Sequence, residues 1–200
     1  TAVLEEMEDK SQLSFLESLS PDRVAGILEE MHTDEVADIL YGLRGHKVEE
    51  ILNNMGLEAA NKVRELMGYD NDSVGSLMNT DYLSFSVNST VGEAINTLKE
   101  LKPEEDQMYY LYVVDEMEKL VGTISLRDIV LSNSDMKLEN LMKKDYFSVL
   151  DTDAVDELIE DVSKYNLVAI PVVDRETNLV GNVIIHDIIY ELTENKRKIV

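Results

Sequence analysis

Between residues 20 and 67 apolar side chains recur on a twelve-residue beat. The units are Ser20–Met31, His32–Leu43, Arg44–Met55 and a weaker Gly56–Met67. Each sets apolar residues at its fifth, eighth and twelfth positions, as at Val36, Ile39 and Leu43. Spacings of three and four are helical. Twelve residues are about 3.3 turns, so on one straight helix the stripe would drift by roughly a third of a turn per unit. The pattern therefore predicts a short helix and a turn per unit, stacked into an all-helical domain over residues 1–68. Ser20-Pro21 and Thr33-Asp34 read as helix starts, and Gly45 and Gly56 as stops. The methionines of this region read as core filler.

The period then changes. Residues 69–78, Tyr-Asp-Asn-Asp-Ser-Val-Gly-Ser-Leu-Met, are polar and aperiodic and read as an inter-domain linker. Leu83 to Val87 alternates as a strand, and Thr90-Val-Gly-Glu93 resembles a capping box opening a helix to Leu101. Tyr109 to Val114 reads as a buried strand, Leu120 to Ile124 as its return, and a helix starts at Ser125. The same order follows with Phe147 to Leu150, a helix from about Asp153 to Tyr165, Ala169 to Val173, Leu179 to Ile185, and a helix from His186. Tyr112-Val-Val-Asp115 matches Pro171-Val-Val-Asp174, and Gly122-Thr-Ile-Ser-Leu-Arg-Asp128 matches Gly181-Asn-Val-Ile-Ile-His-Asp187. The fold expected is α+β: a helical domain of stacked short helices, then a duplicated β-α-β-β-α unit. The two copies are placed at residues 79–134 and 135–192, with a charged tail over 193–200.

Charge changes the picture more than bulk composition does. The chain of 200 residues carries a formal net charge of −23. Counted by segment, this is −9 over residues 1–68, −9 over 69–135 and −5 over 136–200. A field of that sign repels nucleic acid and anionic lipid and attracts cations. The acidity reads either as a solubilising surface or as a surface whose self-repulsion divalent cations relieve. There are 0 cysteines, which excludes disulfides and thiolate chemistry and fits a reducing compartment. The acid-rich Thr1 to Lys10 does not read as a secretory signal, and no apolar run reaches spanning length.

Candidate chemistry is sparse. Ser125 and Asp128 sit at a helix start, where the spacing is either a capping arrangement or a nucleotide corner. On the second reading, Gly122 leaves room for a ligand, Asp128 accepts from ribose hydroxyls and Arg127 meets a phosphate. Ile184 replaces Ser125 in the second copy, which confines such a site to the first. Asp34 and Asp38 lie four apart on one helix face. Asp153, Asp156 and Glu157 cluster at another helix start, and Asp187 is the counterpart of Asp128. Each acidic group reads equally as a solvated face or cap. His32, His46 and His186 show no metal-ligand spacing. Hydrolase, zinc-protease and P-loop motifs are absent, which argues for a binding module rather than an enzyme.

The duplicated units with Gly-x-x-Ser-x-x-Asp resemble a tandem pair of CBS domains. With Tyr69-x-x-Asp72-x-x-Gly75-x-Leu77-Met78, Tyr109 to Asp115, Ser125-Leu-Arg-Asp128 and the helical domain before them, the chain resembles the cytosolic part of MgtE-type magnesium transporters. That resemblance implies a Mg²⁺ sensor at the cytoplasmic face of the cell membrane. It implies a homodimer through the CBS pair and a transmembrane domain of the same transporter beyond it. Mg²⁺ would bridge Asp34 and Asp38 to Asp187 and the Asp153, Asp156, Glu157 cluster, holding the pore closed. ATP or another adenine nucleotide would bind at Ser125, Arg127 and Asp128. His186, Asn166 and Tyr190 stand where the family often has acids, which implies that at least one bridging site is lost. The alternative is a free-standing CBS protein that senses adenine nucleotide for another partner.

Overall fold

In the computed structural model, residues 7, 9–43, 45–103, 106–158 and 167–185 are described, and they fall into two compact units divided after Asp70. The first unit is helical: α1 (Asp9–Glu17), α2 (Pro21–Leu28), α3 (Thr33–Gly42), α4 (Gly45–Asn54) and α5 (Leu57–Leu66). The last four begin twelve residues apart, as the hydrophobic beat requires. Because each turn is short, helices two apart in sequence meet: α2 packs on α4, and α3 on α5. Their apolar faces form one core through Leu16, Val24, Leu28, Val36, Leu40, Ile51 and Val63. Ser20 stands at the N-cap position of α2 without a side-chain capping hydrogen bond, and Pro21 is the first helical residue, where a missing N–H costs nothing. The two glycines expected as stops are starts instead. Gly45 is the first residue of α4 and Gly56 the N-cap of α5. Glycine is tolerated at an N-cap as well as beyond a C-terminus, so the residue alone does not tell the two apart.

The second unit contains two small sheets of identical design. In the first, β1 (Ser84–Ser86) runs parallel to β2 (Leu111–Val114), which pairs antiparallel with β3 (Leu120–Ile124). In the second, β4 (Val149–Leu150) is parallel to β5 (Ala169–Val173), which pairs antiparallel with β6 (Leu179–Ile184). Both antiparallel pairs carry a register shift at the same place, Val113/Val114 and Val172/Val173. Both hairpins also hold a non-glycine residue in the left-handed region, Glu118 at φ 60° and Thr177 at φ 69°. The duplication read from the sequence is thus reproduced down to its irregularities. Helix α7 (Val91–Leu101) follows β1 and opens with the expected box: Glu93 N–H donates to Thr90 Oγ1, and Thr90 N–H to Glu93 Oε2. Helix α8 (Leu126–Leu131) follows β3. In the second half residues 155–158 are helical, and the remainder of that expected helix lies outside the described residues, as does everything from His186 onward.

The openings of the two halves are exchanged. Helix α6 (Val74–Leu77) precedes the first sheet in sequence, yet Val74 N–H donates to Asp153 O and Gly75 N–H to Asp151 O, both at 2.8 Å. Asn79 and Asn182 then trade backbone hydrogen bonds at 2.8 and 2.9 Å. Reciprocally, α9 (Leu138–Leu141) precedes the second sheet but packs into the first half, with Leu138 buried against Phe85, Leu111 and Ile129. Lys143 and Thr123 trade backbone bonds at 3.1 and 2.9 Å. Residues 72–78 of the expected linker are therefore structural, with Val74 and Met78 fully buried. Their polar composition hid this, because their backbone groups are satisfied by a strand far away in sequence.

A second core joins the halves through Tyr112, Val114, Leu120, Val173 and Leu179. Tyr82 donates to Leu179 O at 2.8 Å, and its counterpart Tyr146 donates to Leu120 O at 2.7 Å. Burial of each such apolar side chain contributes about 1.5–3 kcal/mol, and the tyrosines add polar ends that fix the angle between the sheets.

Candidate functional site

The first copy of the glycine motif runs along β3 into α8. Gly122 is buried in the strand, opposite Val113, and Ser125 is the N-cap of α8. Ser125 Oγ accepts from Asp128 N–H at 3.2 Å and donates to the Asp128 carboxylate at 2.6 Å. Ser132 donates to Asp128 O at 2.7 Å, closing the short helix. The two residues thus satisfy one another as a cap, and a ligand hydroxyl at Asp128 would displace the serine. Arg127 is exposed on the next position of the helix. The space expected beside Gly122 is filled: a Cβ there would lie 2.7 Å from Met142 Sδ. The glycine is required by the side chain packed on it, which the sequence reading did not foresee.

Lys143 is the residue that sequence reasoning missed. Its backbone pairing with Thr123 brings its ammonium to 4.0 Å from Asp128 Oδ2. The signal was present in a longer repeat, Leu77-Met-Asn-Thr-Asp-Tyr82 against Leu141-Met-Lys-Lys-Asp-Tyr146. The equivalent corner of the second half holds Asn79, Asn182 and Ile184. Near it, Tyr112 is buried with its hydroxyl toward the Asn182 side chain, and among the described residues that hydroxyl makes no hydrogen bond. Burial pushes its pKa well above the ordinary tyrosine value, only partly offset by Asn182.

Asp34 is half-buried and Asp38 exposed on α3, one turn apart on the same face. Asp153 is engaged in a turn, its Oδ2 accepting from Leu150 N–H at 2.8 Å. Asp156 and Glu157 are exposed. Asp187, with His186, Tyr190 and Asn166, lies outside the described residues. Among the described residues no group of three or more His, Cys, Asp or Glu side chains is placed to hold a metal ion. No described helix is long and apolar enough to cross a membrane.

A helical domain followed by two interlocked halves, each a parallel strand joined to an antiparallel hairpin, defines a CBS pair with an N-terminal partner domain. Residues 1–72 match the MgtE intracellular N domain, and residues 74–134 and 138–194 match the CBS domain. The chain belongs to the MgtE family, corresponding to its intracellular region of N-domain and CBS pair. The magnesium transporter MgtE of Enterococcus faecalis is 33% identical over 132 residues, covering 66% of this chain and 29% of that protein. The chain thus spans under a third of that relative's length. The soluble part of a magnesium transporter superposes with a TM-score of 0.88 at 30% identity, covering 94% of this chain and 74% of the other. The cytosolic domain of the Mg²⁺ channel MgtE in complex with ATP gives 0.87 at 29% identity, covering 94% and 77%. These relatives are named as a magnesium transporter, the soluble part of one, and the cytosolic domain of a Mg²⁺ channel.

Proposed function

We propose that this chain is the Mg²⁺-sensing regulatory module of a magnesium transporter, working at the cytoplasmic face of the membrane as a homodimer through its CBS pair. The observation that carries the reading is the match to the soluble part of a magnesium transporter across both the helical unit and the CBS pair. Distributed acidity supports it: −23 over 200 residues, with carboxylates on both units. On this reading Mg²⁺ draws carboxylates from both units. Asp34 and Asp38 supply one side; Asp156, Glu157, Asp187 and the second oxygen of Asp153 supply the other. Mg²⁺ keeps several waters and takes only one or two carboxylates, so each site is weak and the response falls at cellular concentrations. At ligand near its Kd one site shifts the balance by about 0.4 kcal/mol, and several in one interface add up to a switch. When Mg²⁺ is scarce, like charges repel and the pore-closing arrangement is released. Small-angle scattering of the whole chain should show a smaller radius in millimolar Mg²⁺ than in EDTA, and the contraction should be lost in Asp34→Asn/Asp38→Asn. An identical profile in both conditions would refute the reading.

A second activity, adenine-nucleotide binding in the first CBS half, is favoured by the Ser125–Asp128 pair and by the ATP complex of the relative. Asp128 would accept from the ribose hydroxyls in place of Ser125, and Arg127 would face the phosphates. Calorimetry with ATP on wild type, Ser125→Ala and Asp128→Ala tests it. Binding untouched by both substitutions would remove these residues from the site.

A further inference from the structure

We propose that Lys143, delivered from the opening of the other half, makes the Ser125–Asp128 corner selective for phosphate-bearing ligands; the proposal rests on the nucleotide reading above. Three observations converge on it. First, the position of Lys143 is fixed by its chain, not by its charge: paired backbone bonds tie it to Thr123, and Met142 beside it is wedged against Gly122. Second, its ammonium stands 4.0 Å from Asp128, the outer limit of an ion pair, and its side chain is 69% exposed. Such a pair contributes little to stability, so holding the fold is not what the lysine is for, and the flexible stem can turn to an incoming anion. Third, the pseudo-equivalent corner has Asn79 at the lysine position and Ile184 at the serine position.

Asp128 alone is the wrong charge for a phosphate ligand. A carboxylate that accepts from ribose also repels the phosphates attached to it. A lysine at this distance neutralises that carboxylate while the corner is empty and becomes a donor to the phosphate once the corner is filled. The charge that admits a nucleotide therefore comes from the second half, while the ribose acceptor comes from the first. The corner exists only when the exchanged openings are in place.

The test is ATP titration of the whole chain by calorimetry for wild type, Lys143→Met, Lys143→Arg and Lys144→Met, with melting temperature as a check on folding. Lys143→Met keeps the aliphatic stem at an exposed position, so folding should be unaffected. The expected result is ATP affinity about tenfold lower in Lys143→Met, restored within about threefold by Lys143→Arg and nearly unchanged in Lys144→Met. Equal ATP affinity in Lys143→Met and wild type, or an equal loss in Lys144→Met, overturns the assignment while leaving the nucleotide site standing. If wild type itself fails to bind ATP, the nucleotide reading falls and this inference falls with it.

Discussion

Replacing Gly122 by alanine separates packing from ligand access at the motif glycine. The backbone there does not need glycine, since no glycine among the described residues has positive φ. Alanine at such a position would ordinarily stabilise by about 0.4–1 kcal/mol through the unfolded chain. Here the added methyl would meet Met142 Sδ at 2.7 Å, Cγ at 2.8 Å and Cβ at 2.9 Å. Overpacking of this kind costs about 1–3 kcal/mol, so Gly122→Ala should destabilise by an amount in that range. All three clashing atoms belong to one side chain. Met142→Ala would leave the Cβ contact in place, so the matching background is Met142→Gly, which removes all three atoms. There the cost of Gly122→Ala should fall to about zero, a coupling of about 1–3 kcal/mol. Gly181 is the control. There a methyl would meet Met78 Sδ at 2.7 Å and also Asn79 backbone O at 2.9 Å. That oxygen is fixed by the N–H of Asn182 at 2.9 Å, so Met78→Ala should rescue Gly181→Ala only in part. Urea unfolding followed by far-UV circular dichroism, with hydrogen exchange at the Thr123 and Lys143 amides, gives both cycles. If Gly122→Ala costs under about 0.5 kcal/mol, or costs the same with and without Met142, the glycine is not there for the methionine.

Two further predictions follow from buried or capping groups. Lys47 Nζ donates to Leu16 O, Glu17 O and Leu19 O at 3.0, 2.9 and 3.3 Å, holding the C-terminal end of α1. Lys47→Met should cost about 1–2 kcal/mol after discounting for partial exposure, with faster exchange at the Ser18 and Leu19 amides in hydrogen-exchange mass spectrometry. Tyr112 is neutral and buried, and its folded pKa is raised above the ordinary value. Its contribution is therefore full below the unfolded pKa of about 10 and is lost as pH rises past it, because the unfolded chain ionises first. Tyr112→Phe should flatten the alkaline fall in melting temperature above about pH 10, and an unchanged alkaline profile would show that another group sets it.

The sequence by itself determined everything that depends on local period. The twelve-residue beat gave one short helix per unit, because a stripe that drifts on one helix forces a turn. The starts at Pro21 and Thr33 were legible, whereas Gly45 and Gly56 read as stops and open helices instead. Thr90 and Glu93 announced their capping box, and the matched Val-Val-Asp and glycine-motif runs announced two like hairpins, which share one register. What only the tertiary structure decided is which segment completes which half. Residues 72–78 look like a polar linker because the hydrogen-bond partners of this stretch and of Asn79, namely Asp151, Asp153 and Asn182, lie 76 to 103 positions further along the chain. The same exchange sets Met142 over Gly122 and Lys143 beside Asp128. Periodicity records which face of an element is buried, not against what; the choice of partner is made by long-range packing, and the chemistry of the Ser125–Asp128 corner depends on that choice.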